Sequence, residues 1–204
     1  MLITSYPMPI RFLSKLAMGL VVAELLLMLI SWIWSAAIPM SGVRSMLSGE
    51  GIRWFFGHFA DIMATPLLVW LLLLAMSYGA LVRSGLMASL RRTVSFRRRR
   101  ARIITLFFVL IYVAAVLLLT VSPHAVLLSA SGTLWPSPFS ASLIPIIAFG
   151  LLSAAIVYGM VAGTFQTLSD VYRSLQEGIC KSAPLLPLYV LLTQFYYSLL
   201  FCFA

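Results

Sequence analysis

Charge is scarce in this chain: only 9% of its 204 residues are Asp, Glu, Lys or Arg, and five of those are acidic. No two acidic residues pair for general acid–base work, and no Gly-rich phosphate loop or nucleophile elbow appears. Cysteine is nearly absent too. Cys180 and Cys202 are expected at opposite ends of one apolar segment, on the order of 30 Å apart, whereas a disulfide needs Cα atoms within about 7 Å. His58 and His124 stand alone, without metal-ligand spacing. The sequence therefore carries no catalytic, metal or cofactor constellation, and the expectation is a non-enzyme with no cofactor.

What is abundant is apolar. Hydrophobic residues make up 62% of the chain, and the mean hydropathy is +1.07. A soluble domain of this size cannot cover so much apolar surface, because most of a small sphere must be polar. A bilayer removes that constraint. Five long apolar runs follow, at about 16–38, 64–82, 103–121, 143–161 and 184–203. At 1.5 Å per residue each is long enough to cross a hydrocarbon core of about 30 Å. None alternates as a barrel strand must, and helices satisfy their own backbone groups in lipid. The expected fold is all-α: one transmembrane domain over 1–204, a bundle of about five helices. The first run carries Arg11 and Lys15 before it and Ser35-Ala36-Ala37 near its end. It nevertheless exceeds the roughly 7–15 apolar residues of a signal peptide, so it reads as a retained helix.

Arginine and lysine set the orientation. The link 83–102 holds Arg83, Arg91, Arg92, Arg97, Arg98, Arg99, Arg100 and Arg102. Arg173 and Lys181 lie between runs four and five, and Arg11 and Lys15 in the N-terminal tail. Five spans place all of these on one side, leaving Arg44 and Arg53 opposite. By the positive-inside rule the N-terminus is cytoplasmic and the C-terminus outside. The basic link has no aromatic stacking motif, so it reads as a juxtamembrane cluster that meets anionic headgroups rather than nucleic acid.

Ahead of the second run, Ile52, Phe55, Phe56 and Phe59 recur at helical spacing and form one apolar stripe over about 49–60. Ser48 can cap that helix, and Glu50 suits its positive end. Trp54 fits a membrane–water boundary. The expectation is a short helix on the outer leaflet or across the mouth of the bundle.

Two blocks of this sequence resemble the p-aminobenzoyl-glutamate transporter (AbgT) family. The first is Val43-Arg44-Ser45-Met46-Leu47-Ser48-Gly49-Glu50-Gly51-Ile52-Arg53-Trp54, followed by Pro66-Leu67 and Ser84-Gly85-Leu86. The second is Pro136-Ser137-Pro138-Phe139, Ile144-Pro145-Ile146, Val157-Tyr158-Gly159, Gly163, Asp170-Val171 and Gln194-Phe195. The resemblance implies a homodimeric transporter of small anionic solutes in a bacterial inner membrane, with Gln194 at a site-helix position. Against the family pattern, the SN-x-x-SDAGY-like hairpin after Leu86 and the C-terminal hairpin region have no counterpart, and Leu68 replaces a turn glycine. That leaves a second reading, a non-transporting scaffold or regulatory subunit working with a separately encoded partner.

Glu24 is the ionisable side chain well inside a span, where a lone charge costs several kcal/mol unless paired or protonated. It reads either as a proton- or cation-responsive site or as an acid bonded to a neighbouring helix. Gln194 reads either as a ligand contact or as a helix–helix lock, since a buried amide must find partners. Ser77 and Tyr78 join Glu24 and Gln194 as the candidate lining of a substrate or ion path. Trp54 and Arg97–Arg100 are the candidate interfacial residues.

Overall fold

The computed structural model describes residues 10–38, 40, 42–91, 95–121 and 138–204, and among these it is helical throughout apart from short turns. In chain order the helices are α1 (Ile10–Ala37), α2 (Gly49–Gly57), α3 (Phe59–Met63), α4 (Pro66–Ser84), α5 (Leu86–Arg91), α6 (Phe96–Val121), α7 (Pro138–Ala162), α8 (Leu168–Ser182) and α9 (Leu185–Phe203). Five of them, α1, α4, α6, α7 and α9, are long and apolar enough to cross a membrane. His124, Pro136, Ser137 and the side chain of Arg91, like Arg92, fall outside the described residues.

The helix ends follow local chemistry. Pro66 and Pro138 open α4 and α7, where a missing N–H has no intrahelical partner to lose. α4 stops at Gly85 and α7 at Gly163, both in the left-handed region that favours glycine. Beyond α7 the N–H groups of Thr164 and Phe165 fold back onto the Gly159 carbonyl at 2.9 and 3.0 Å, which satisfies a helix-end acceptor. α1 and α6 both begin before their apolar runs. Arg11 and Lys15 lie on α1, and Arg97–Arg100 form the first turns of α6. Long cationic side chains allow this, because their heads reach water while the helix continues below them.

The chain divides into two compact units, Met1–Val69 with Lys181–Ala204, and Trp70–Cys180. In the first, α1 and α3 pack on α9. Its core holds Leu27, Met46, Phe201 and Cys202, with Trp54, Phe55 and Phe195 against them. In the second, α6 and α5 pack on α7, and α4 crosses α8. That crossing is a backbone contact: a Cβ at Gly79 would fall on Ser174 and Gly178, and one at Gly178 on the Ala75 carbonyl.

Burial is inverted relative to a soluble protein. Ser31, Ser84, Ser174 and Ser198 are fully enclosed, while Leu25, Ile33, Ile103, Leu106 and Phe107 lie about half or more exposed. Only 11% of the α1 and α6 windows is buried, so their apolar faces require lipid or another chain. Small residues inside and large ones outside are what helices in a bilayer require, since close approach rather than hydrophobic burial holds them together.

Candidate functional site

The polar groups of the first unit gather on one face of α9. Gln194 and Ser198 are four residues apart and so share that face, one turn from each other. Gln194 is 6% exposed and Ser198 not at all. Ser198 Oγ donates to Glu24 Oε1 of α1 at 2.7 Å. The second carboxyl oxygen, Glu24 Oε2, is buried without a hydrogen-bond partner among the described residues. Both Oε1 and Nε2 of Gln194 are in the same position. Since nearly all buried polar groups are bonded, a patch with three unmet polar atoms on facing helices is unusual. Chemically it presents a carboxyl group, a hydroxyl and a free amide in a water-poor setting.

Several neighbouring polar groups are engaged, although Ser45 Oγ is buried without a hydrogen-bond partner among the described residues. Thr193 Oγ1 donates into its own helix, to Tyr189 O at 2.8 Å. Tyr189 Oη donates to Met63 O at 2.8 Å and lies 2.6 Å from Thr65 Oγ1, which fastens α9 to the α3–α4 turn. Ser31 Oγ accepts the Met46 N–H at 3.3 Å, and Cys202 O accepts the Arg44 N–H at 3.1 Å.

The loop and helix before α4 are fitted to this unit. Ser48 Oγ caps α2 by accepting from Gly51 N at 3.0 Å. Gly51 is required by space, because a Cβ there would meet the Ser45 and Met46 carbonyls. Trp54 stacks on Phe201 with ring centroids 4.6 Å apart. The Arg44 guanidinium lies 5.9 Å from the centre of the same ring, a cation–π distance. Trp54 and Phe55 are the partly buried side of α2, while Ile52, Phe56 and Phe59 stay exposed.

Ser77 and Tyr78 belong to the other unit and point apart. Ser77 is 2% exposed, and its hydroxyl reaches Leu73 O at 2.8 Å and Ala148 O of α7 at 2.7 Å. That single proton is engaged in holding α4 to α7. Tyr78 is largely exposed. Tyr112 makes a comparable α6–α7 link, donating to Ile146 O at 2.8 Å across Gly150, whose missing side chain leaves room for the ring. In the Val157-Tyr158-Gly159 motif, Tyr158 is fully buried and Gly159 seats the Phe165 ring. These motif residues pack.

The arginines divide by role. Arg97 Nε donates to Val161 O at 3.3 Å, and its guanidinium covers Gly163. A cation there meets the negative end of α7. Arg100 sits over the Phe96 ring, 5.4 Å from its centre. Arg83 pairs with Glu177 of α8. Arg98 and Arg99 are exposed.

α8 opens with a reciprocal cap, outside the spans. Asp170 Oδ2 accepts from Gln166 N at 3.1 Å, Thr167 N at 3.0 Å and Thr167 Oγ1 at 3.1 Å, while Thr167 Oγ1 accepts from Asp170 N at 3.3 Å. The backbone N–H groups of Gln166 and Thr167, then the Thr167 hydroxyl, hold the Asp170 carboxyl below its ordinary range. The Thr167-x-x-Asp170 spacing is a capping-box signal readable in the sequence. Ser198, by contrast, carries no signal beyond its i, i+4 relation to Gln194. Among the described residues no group of His, Cys, Asp and Glu is placed to hold a metal.

Comparison with known proteins adds one relationship. The model of the AbgT putative transporter family matches residues 97–201, just over half of the chain. No curated protein and no solved structure matches. The matched stretch contains Gln194, Ser198 and the second of the two sequence blocks; Glu24 and the first block lie before it.

Proposed function

From the premise that this chain belongs to the AbgT transporter family, we propose that it serves the membrane transport of small anionic solutes such as p-aminobenzoyl-glutamate, with Gln194, Ser198 and Glu24 on the solute or ion path. The observation that carries this reading is the Gln194 amide, buried with neither of its polar atoms bonded among the described residues. An amide offers two donors and an acceptor in one plane, which suits a carboxylate or amide on a solute. The neighbouring carboxyl group of Glu24 adds a site for a proton or cation. Ser77 is a weaker member of the path, because its hydroxyl proton is engaged between α4 and α7.

The arginine distribution supports a cytoplasmic N-terminus and a C-terminus on the opposite side, and the family relationship suits a bacterial inner membrane with that side periplasmic. The exposed apolar faces of α1 and α6 suit a homodimer or a separately encoded partner subunit as well as lipid.

Uptake of p-aminobenzoyl-glutamate into vesicles tests the proposal, comparing the parent, Gln194→Leu at matched protein levels, and protein-free vesicles. The parent is expected to exceed protein-free vesicles, and Gln194→Leu to lose most of that excess while keeping its helix content. No uptake by the parent would replace this reading with the non-transporting scaffold or regulatory subunit. Equal uptake by both proteins would make Gln194 a packing residue.

A further inference from the structure

The arginine link contains a groove that none of the preceding roles accounts for. It lies between α5 and the first turns of α6 and encloses about 500 Å³. Leu86 and Leu90 of α5 form one wall; Ile103, Leu106 and Val109 of α6 form the other. Arg99, Arg102 and Thr105 line the same groove. Arg102 Nε and Thr105 Oγ1 are both buried without a hydrogen-bond partner among the described residues, and Thr105 is only 4% exposed.

That hydroxyl is informative because a threonine in a helix ordinarily bonds a carbonyl one turn back. Two unmet donors and a second guanidinium therefore face a channel whose remaining walls are hydrocarbon. From Arg99 to Val109 the groove follows α6 for about 15 Å, roughly the depth of one leaflet. It begins at the arginine-rich end of the span, which the charge bias assigns to the cytoplasmic leaflet, where anionic lipids attract basic segments. No acidic residue lies in the first turn of α6 to neutralise that end.

We propose that this groove holds one anionic glycerophospholipid, its phosphate bonded by Arg99, Arg102 and Thr105 and its acyl chain lying along Ile103, Leu106 and Val109. The occupant has to be amphipathic and anionic. A soluble anion would leave the leucine walls bare, and a neutral lipid would leave the two guanidinium groups without a counter-charge.

The test is native mass spectrometry of the full-length protein in detergent, titrated with phosphatidylglycerol or with phosphatidylcholine of the same acyl chains. Phosphatidylglycerol is expected to remain bound to the parent in preference to phosphatidylcholine. Arg102→Ala should lower its retention by about tenfold, as loss of a charge-assisted bond does. The near-isosteric Thr105→Val should lower it several-fold, and Arg98→Ala, which alters an exposed arginine outside the groove, should leave it unchanged. Thr105→Val decides the matter if Arg102→Ala does not fold. Equal losses in all three variants, or no loss in Thr105→Val, would reduce the effect to diffuse charge and overturn the proposal. So would equal retention of phosphatidylcholine, or displacement of the lipid by millimolar inorganic phosphate.

Discussion

Glu24 meets Ser198 across α1 and α9, and one hydrogen bond decides which replacements the fold accepts. Glutamine keeps the shape and an acceptor for the Ser198 hydroxyl, so Glu24→Gln should unfold in detergent within a few degrees of the parent. Glu24→Lys brings a cation into a span, a burden of several kcal/mol without a new partner, and should fold or insert poorly. A Glu24→Lys protein as stable as the parent would show that the carboxyl group is not held inside the unit. Asp170 behaves differently because it lies in water outside the spans. Its folded carboxyl group titrates below a free aspartate, which titrates at about 3.9, so the ionised form favours the folded cap. The contribution is fully present above that value and is lost as pH falls through the depressed one. Protection of the Gln166 and Thr167 amides, corrected for intrinsic exchange, should therefore fall on acidification below about pH 4, and Asp170→Asn should remove that dependence. A fall of the same size in Asp170→Asn would place its origin elsewhere. Glu24 and Gln194 stand out in sequence because charge and amide are rare in apolar runs. Ser198 and Thr105 do not, since hydroxyl residues are ordinary in spans and only the folded neighbours show which are bonded.

Among the elements, α8 was the hardest to foresee. Its closest approach to α4 is made at Ser174 and Gly178, with Leu175 packed beside Ala80 and Leu81, and hydropathy gives small residues little weight. Their contribution is distance: they let α8 lie on α4 backbone to backbone. Gly178→Leu should therefore destabilise the protein by at least 1–3 kcal/mol, roughly the scale of overpacking. Gly57→Ala, where a Cβ meets nothing, should be neutral or nearly so. Equilibrium unfolding in detergent reads both, and a stable Gly178→Leu protein would mean that α4 and α8 do not cross closely. The spans themselves were legible because length and continuous hydropathy fix a membrane helix almost alone. Over α2 and the start of α3, which break at His58 where the sequence suggests one helix, the apolar stripe was legible but not the direction it takes. Ile52, Phe56 and Phe59 are exposed, and Trp54 and Phe55 pack. Where the surroundings are themselves apolar, a stripe no longer tells core from outside, and stacking on Phe201 decides. The basic link was legible as a charge cluster, yet its division into a cap on α7, a pair with α8 and a groove lining depends on contacts with α5, α7 and α8 that a charge pattern does not show.

Over the molecule as a whole, the five span-length helices among the described residues, with apolar exteriors and enclosed serines, make a multi-pass membrane protein, and the family match makes it a relative of transporters. The proposed function turns on one property: whether water and solute reach Gln194, whose amide is unbonded among the described residues. A dry lock between helices would use the same residues and never admit either. The two readings separate in a Gln194→Cys protein with Cys180→Ser and Cys202→Ser, reconstituted in vesicles and exposed to a charged, water-soluble thiol reagent. Such reagents attack the thiolate, which forms where water reaches the sulfur. Gln194→Cys is expected to be modified in the intact vesicles. A thiol that stays unmodified from both sides of the membrane, yet reacts once the protein is denatured, would contradict it.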